Sequence, residues 1–265
     1  MKQAYKSLFI SHGGGPLPLL ADPAHQQMVD TLKVIANKIT KPDAIVVVSA
    51  HWEESVATIT AAAKPSLIYD YFGFPKESYQ IQYPSDGAPE LASQVHQLLG
   101  DNGIASKLDE ARGFDHGLFV PLKIMYPDAD IPCIQLSLVN TMDADLHIAI
   151  GEALQTLSEQ NVLVIGSGFT FHNMNAFFAA NTAQSTRLNS QFEAWLRDIC
   201  CNPGYQHQQR TALLSAWDKA EGARYCHPRE EHLLPLHVCY GVAQTSCTER
   251  FDITILNKKV SMYLW

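Results

Sequence analysis

The sequence predicts an α/β fold: a central, mostly parallel sheet flanked by helices on both faces, in one domain over residues 1–265. Three observations carry this. Four short apolar runs are rich in β-branched residues, segments of helical spacing lie between them, and no linker-like stretch, repeat or low-complexity tract divides the chain. Nearly continuous apolar runs are what strands covered on both faces require. Strands alternating with helices of ordinary length imply a mostly parallel sheet.

In chain order, Leu8-Phe9-Ile10 reads as the first strand and about 24–39 as the first helix. Ala44-Ile45-Val46-Val47-Val48 is the second strand. The stretch Lys64–Pro84 has aromatics and prolines but no period, as lids and pocket walls often do, and as a surface loop with a local aromatic cluster also can. Helical spacing returns over about 88–100 and about 117–126, followed by a strand at Ile131–Leu136. A helix over about 143–160 places Leu146, Ile150, Leu154 and Leu157 on one face. Val162-Leu163-Val164-Ile165 is the fourth strand, and about 182–200 the last helix.

Composition narrows the function. The net charge is −8 with no block of Lys or Arg, so a nucleic-acid partner, which needs a basic stripe, is not expected. Ser7–Ile10 is too short for a signal-peptide core, and no run approaches a membrane span. Cys133, Cys200, Cys201, Cys226, Cys239 and Cys247 contain no Cys-x-x-Cys pair and read as free thiols of a cytoplasmic protein.

The informative pattern is where histidine falls. Ser11 leads to His12 and then Gly13-Gly14-Gly15; Ser49-Ala50 leads to His51; Gly166-Ser167-Gly168 runs on to His172-Asn173. Three times an apolar strand finishes in small residues and then a histidine. In an open parallel sheet, ligands bind beyond the carboxyl ends of the strands, and imidazole is both a common metal ligand and a proton shuttle. His116, in Gly113-Phe114-Asp115-His116-Gly117, precedes a helix, and His232 lies in the run His227–His237. Pro235 puts His232 at a helix start or kink. His25, His96, His147 and His207 have no partner pattern and read as surface or helix-face residues. Strand-end histidines with one more ligand suit hydrolytic zinc or non-haem Fe(II), and residue types leave both open. Nucleotide-loop spacings and the Gly-x-Ser-x-Gly elbow are missing, so the glycines do not suggest a nucleotide site and no cofactor-binding residues are assigned.

Ser11-His12-Gly13, Ser49-Ala50-His51-Trp52, Gly113-Phe114-Asp115-His116-Gly117, Phe171-His172-Asn173 and Glu231-His232-Leu233-Leu234-Pro235-Leu236 resemble the class III extradiol ring-cleavage dioxygenases, nearest their DOPA 4,5-dioxygenase branch in the LigB-type superfamily. The motifs run in family order from residue 10 to about 240. The resemblance implies His12, His51 and His232 as metal ligands, His172 as the acid–base residue, and His116 as a contact to substrate and oxygen. It implies Fe(II) for activity, with Zn(II) as another metal such a site accepts, and a small catechol and O2 as reactants. The product it implies is a ring-opened semialdehyde. The wider superfamily often uses a carboxylate as third ligand, which makes Glu230 or Glu231 the alternatives to His232. Gly14-Gly15-Pro16 departs from the family's Ser-Pro after the first His-Gly. His227 reads either as a donor behind the ligands or as a solvated loop residue. A zinc hydrolase and a Memo-like interaction protein are the competing functions. Which catechol is cleaved and the oligomeric state are not set by the sequence.

Overall fold

The computed structural model describes residues 4–265. Four parallel strands form the centre: β1 (Ser7–Ser11), β2 (Ala44–Glu54), β5 (Cys133–Val139) and β6 (Val162–Gly168). Two short strands, β3 (Ala57–Thr60) and β4 (Ser106–Asp109), extend one edge, where β3 runs antiparallel to β5. A hairpin of β7 (Glu249–Ile255) and β8 (Lys258–Leu264) closes the other, with β8 antiparallel to β1. The sheet order is β4-β3-β5-β2-β6-β1-β8-β7.

Helices cover both faces, and neighbouring residues of β6 show it directly. Successive strand residues point to opposite sides. A Cβ on Gly166 would meet the Pro235 carbonyl oxygen of α9 (Leu234–Ala243) at 2.4 Å, whereas the adjacent Ser167 hydroxyl donates to the Gly117 carbonyl of α3 (His116–Met125) at 2.5 Å. Further helices are α1 (Gln26–Lys38), α2 (Pro89–Asp101), α4 (Ala144–Ala153), the short α5 (Met174–Phe177), α6 (Ala183–Cys201), α7 (His207–Ser215) and α8 (Ala223–Cys226). Every residue of β1, β5 and β6 is buried, as strands covered on both faces are, and the apolar runs in them are interrupted only by Ser7, Ser11, Gln135, Ser137, Ser167 and the glycines of β6. Among the described residues no helix is long and apolar enough to cross a membrane, and all six cysteines are free.

Several expectations are corrected. The helix expected over about 143–160 stops at Ala153, and residues 155–160 wind on as a 3-10 turn. β2 does not end at Ala50: its pairing with β5 slips between Ser49 and Glu53, a bulge that lets the strand continue to Glu54. The hairpin β7–β8 escaped detection because its two-residue turn is Leu256-Asn257, both with positive φ, in place of the Asn-Gly that marks such turns. Pro235 marked the start of α9 but not its extent, because the helix is apolar on every side and so has no period to read. His25 and His147 are fully buried, so neither is a surface residue, although His147 does lie on α4.

Candidate active site

The carboxyl ends of β1, β2 and β6 open into a cavity of about 590 Å³, and all five histidines singled out from the sequence line it. Each arrives by a different local device. His12 follows β1 and is turned by Gly13, whose φ of +82° favours glycine. His51 sits in the β2 bulge, its N–H donating to the Ser49 hydroxyl at 3.2 Å; bulges re-aim side chains in this way. His116 opens α3, where the Asp115 carboxylate caps the helix by accepting from Gly117 N–H at 3.0 Å. Ser49 donates to the same carboxylate at 2.8 Å, tying the two loops together. His172 is held by its backbone N–H on the Cys226 carbonyl, at 2.8 Å. His232 lies in the turn before α9, its carbonyl accepting from Phe169 N–H at 2.8 Å.

Hydrogen bonding decides which ring nitrogen faces the cavity. Ser167 gives its proton to the Gly117 carbonyl, so it can only accept from His12 Nδ1, 3.1 Å away. His116 Nδ1 donates to Asp70 Oδ1 at 2.8 Å. His172 Nδ1 and His232 Nδ1 both donate to Glu231 Oε1, at 3.0 and 3.1 Å. In these four rings Nδ1 carries a proton, which turns Nε2 toward the cavity. Metal-binding histidines are oriented by such outer partners. Burial first, and the neighbouring imidazoles next, hold His12 well below the ordinary histidine range. His51 and His232 are likewise held neutral, mainly by loss of solvent. Burial pushes the Asp70 and Glu231 carboxyls up, but hydrogen bonds from His116 and His172 outweigh it, and both end below the usual carboxylate range.

This donor set fits a divalent cation. His12 Nε2 and His51 Nε2 stand 2.9 Å apart, close to the roughly 3 Å spacing of two imidazoles bound to one ion through bonds of about 2 Å. Donor atoms of His12, His51 and His116 lie within 4.8 Å of one another, as do those of His172, Glu231 and His232. The His232 ring is 5.3 Å from His12 and 5.0 Å from His51, centroid to centroid, and stacks on His172 at 3.3 Å. Glu230 is outside the cluster and pairs with Arg224 at 2.8 Å. Glu231 lies behind the two histidines it orients and is not part of the cavity lining. His227 is not a solvated loop residue: it is fully buried against Phe192 and Trp217, and burial pushes it down to about 3.

Two orienting residues had no sequence signal. Asp70 sits in the irregular aromatic stretch with nothing to distinguish it from Glu77, and Ser167 read only as a small strand-end residue. That aromatic stretch does wall the cavity, through Asp70, Tyr71, Phe72 and Phe74.

Comparison with known proteins agrees with this geometry. Residues 7–263 match the family model of the catalytic LigB subunit of aromatic ring-opening dioxygenase. Dioxygenase tasH of Hapsidospora irregularis is 36% identical, with 97% of this chain and 84% of that protein covered. The 4,5-DOPA dioxygenase extradiol of Portulaca grandiflora is 38% identical, covering 89% and 85%, and that of Escherichia coli K12 is 34% identical, covering 89% and 84%. The crystal structure of an uncharacterized Escherichia coli K12 protein superposes with a TM-score of 0.76 at 28% identity, over 97% of this chain and 98% of the other. A match over nearly the whole length decides for ring opening over the hydrolase and interaction readings. The chain belongs to the LigB family of aromatic ring-opening dioxygenases.

Proposed function

We propose that this chain is an Fe(II)-dependent extradiol dioxygenase: it inserts both atoms of O2 beside the vicinal hydroxyls of a catechol, giving a ring-opened semialdehyde. His12, His51 and His232 hold the metal, His172 is the acid–base residue, and His116 contacts substrate and oxygen. The observation that carries the reading is the set of Nε2 lone pairs turned into one cavity by four separate Nδ1–H hydrogen bonds. When bound, Fe(II) supplies adjacent coordination positions and the redox coupling between catechol and oxygen, chemistry the protein positions but does not itself perform.

The chain's own residues do the rest. A catechol must lose a proton to chelate, and His172 Nε2 is the base available to take it, since Nδ1 already donates to Glu231. The Glu231 carboxylate then stabilises the imidazolium that results, as a buried carboxylate does behind any general base. Asp70 fixes the His116 ring by two bonds, from its Nδ1 at 2.8 Å and its backbone N–H at 3.0 Å, so that its Nε2 is pre-aimed at the reacting ring. Tyr71, Phe74 and Phe169 wall the floor from water.

A second assignment of the third ligand has its own support: the donor atoms of His116, not His232, cluster with those of His12 and His51. Metal content separates the two, because the variant lacking the true third ligand, His232→Ala or His116→Ala, loses bound Fe(II) while the other keeps it. The reading as a whole is tested by anaerobic loading with Fe(II), addition of catechols and air, and measurement of oxygen uptake with near-ultraviolet and visible absorbance. Uptake with a new yellow chromophore supports it. Its absence across a broad panel, in protein shown to hold Fe(II), sinks it.

A further inference from the structure

We infer that the substrate is an uncharged catechol bearing an apolar substituent, rather than one bearing a carboxylate or an amino-acid side chain. The inference rests on the dioxygenase reading and concerns the part of the cavity away from the histidines.

That part is apolar on every side. Leu17 comes from the loop after His12, Phe72 and Phe74 from the aromatic stretch, and Phe169, Met174 and Phe177 from the segment after β6. Among the described residues no lysine or arginine lines the cavity. Lys76, two residues past Phe74, is exposed and lies outside the lining, and the other cations close in sequence to the site are engaged. Arg229 makes a two-pronged contact with Glu53 at 2.5 and 2.6 Å, Arg112 pairs with Asp115 at 3.1 Å and lies over Trp52, and Lys258 is held by Asn181. A substrate carboxylate entering this space loses its water and finds no counter-charge, a cost that burial of an unpaired ion always carries. A cationic substituent fares little better: the one carboxylate in the lining, Asp70, already accepts from His116.

The mouth points the same way. Phe72 is 91% exposed, Phe178 82% and Met174 53%, and all three border this one cavity. Large apolar side chains left exposed together mark a binding surface, and here they extend the apolar wall outward, beyond the ring position, where a substituent would lie. The cavity volume of about 590 Å³ also falls in the range for ligands larger than a bare catechol. Each methylene a substrate buries there adds about four-fold in affinity.

The test ranks butylcatechol, homoprotocatechuate, DOPA and dopamine by two readouts on Fe(II)-loaded protein: anaerobic affinity by calorimetry, and kcat/KM by oxygen uptake. Butylcatechol is expected to lead each charged catechol by about ten-fold or more in affinity. The variant Phe178→Arg, at an exposed position, is expected to shift the ratio of homoprotocatechuate to butylcatechol several-fold toward the acid. Binding of DOPA, homoprotocatechuate or dopamine as tight as that of butylcatechol overturns the inference and leaves ring cleavage intact. Absence of oxygen uptake with every compound overturns the dioxygenase reading instead. The anaerobic affinities need no turnover, so they still decide the inference: a butylcatechol lead upholds it and no lead overturns it.

Discussion

Four histidines around the cavity differ from two buried elsewhere, His25 and His147, in what the second ring nitrogen does. His12, His116, His172 and His232 each give one N–H to an acceptor behind them and turn the other nitrogen into the cavity. His25 and His147 spend both. His25 donates to Asp22 at 2.6 Å and accepts from Gly14 N–H at 3.0 Å; His147 donates to the Asp143 carbonyl at 2.6 Å and accepts from Val139 N–H at 3.2 Å. Burial lowers His12, His147 and His232 alike, so exposure and pKa direction do not sort the two groups. An accounting of lone pairs does. A neutral imidazole with a free acceptor nitrogen facing a cavity can serve as a ligand or a base; one with both nitrogens bound is a structural cross-link.

The largest expected effect that would break this distinction comes from His51→Ala. Loss of a ligand should cost metal affinity by more than the roughly 10- to 100-fold typical of losing an outer hydrogen-bond partner. Metal content after dialysis checks it, and full retention of metal would contradict the ligand assignment. Next are the outer partners themselves: Asp70→Asn and Glu231→Gln should each lower metal affinity or kcat by about 10- to 100-fold while the fold persists, read from metal titration and steady-state kinetics.

His147→Ala should behave oppositely. It leaves the Val139 N–H unpaired and opens a void, a loss of about 3 kcal/mol visible as a lower Tm, but its metal content should match the parent's. A His147 variant that lost metal without losing stability would erase the contrast.

The smallest effect carries the same accounting to a carboxyl. Glu193 is buried, with one oxygen accepting from Ser261 at 2.5 Å and the other unpartnered, and burial raises it from 4.5 to about 7. Because the folded state holds this proton more tightly than the unfolded one, its contribution is fully present below pH 4.5 and is lost as pH rises through about 7. Glu193→Gln, which mimics the protonated acid, should therefore be more stable than the parent at pH 8 and not at pH 4, by an amount on the order of 2 kcal/mol, seen as a higher Tm. An equal difference at both pH values would show that the carboxyl is not held protonated.

What could be read in advance follows a physical line. The parallel strands, the helices between them and the histidines at the strand ends are short-range features: an apolar run, a spacing, a residue a few positions past a strand. Those were legible, and so was the placing of His232 just before a helix, from Pro235 alone. The C-terminal hairpin and the length of α9 were not, because neither has the local mark that gives it away.

The sequence by itself thus determined the layered α/β sheet, the placing of His12 and His172 past the ends of their strands, and the motif set that resembles its family, whereas His51 proved to sit within β2 at its bulge. Only the tertiary structure decided how those side chains are held and what surrounds them. Asp70 meets His116 across 46 positions, Glu231 meets His172 across 59, and Ser167 meets His12 across 155. Residues that far apart in the chain become neighbours only when the sheet assembles and brings its strand ends together. The same holds for the apolar wall, whose two halves, near Phe72 and near Phe177, come from segments with no shared pattern. Local chemistry names the groups able to act, and long-range packing selects their tautomers, their partners and the space left for a substrate.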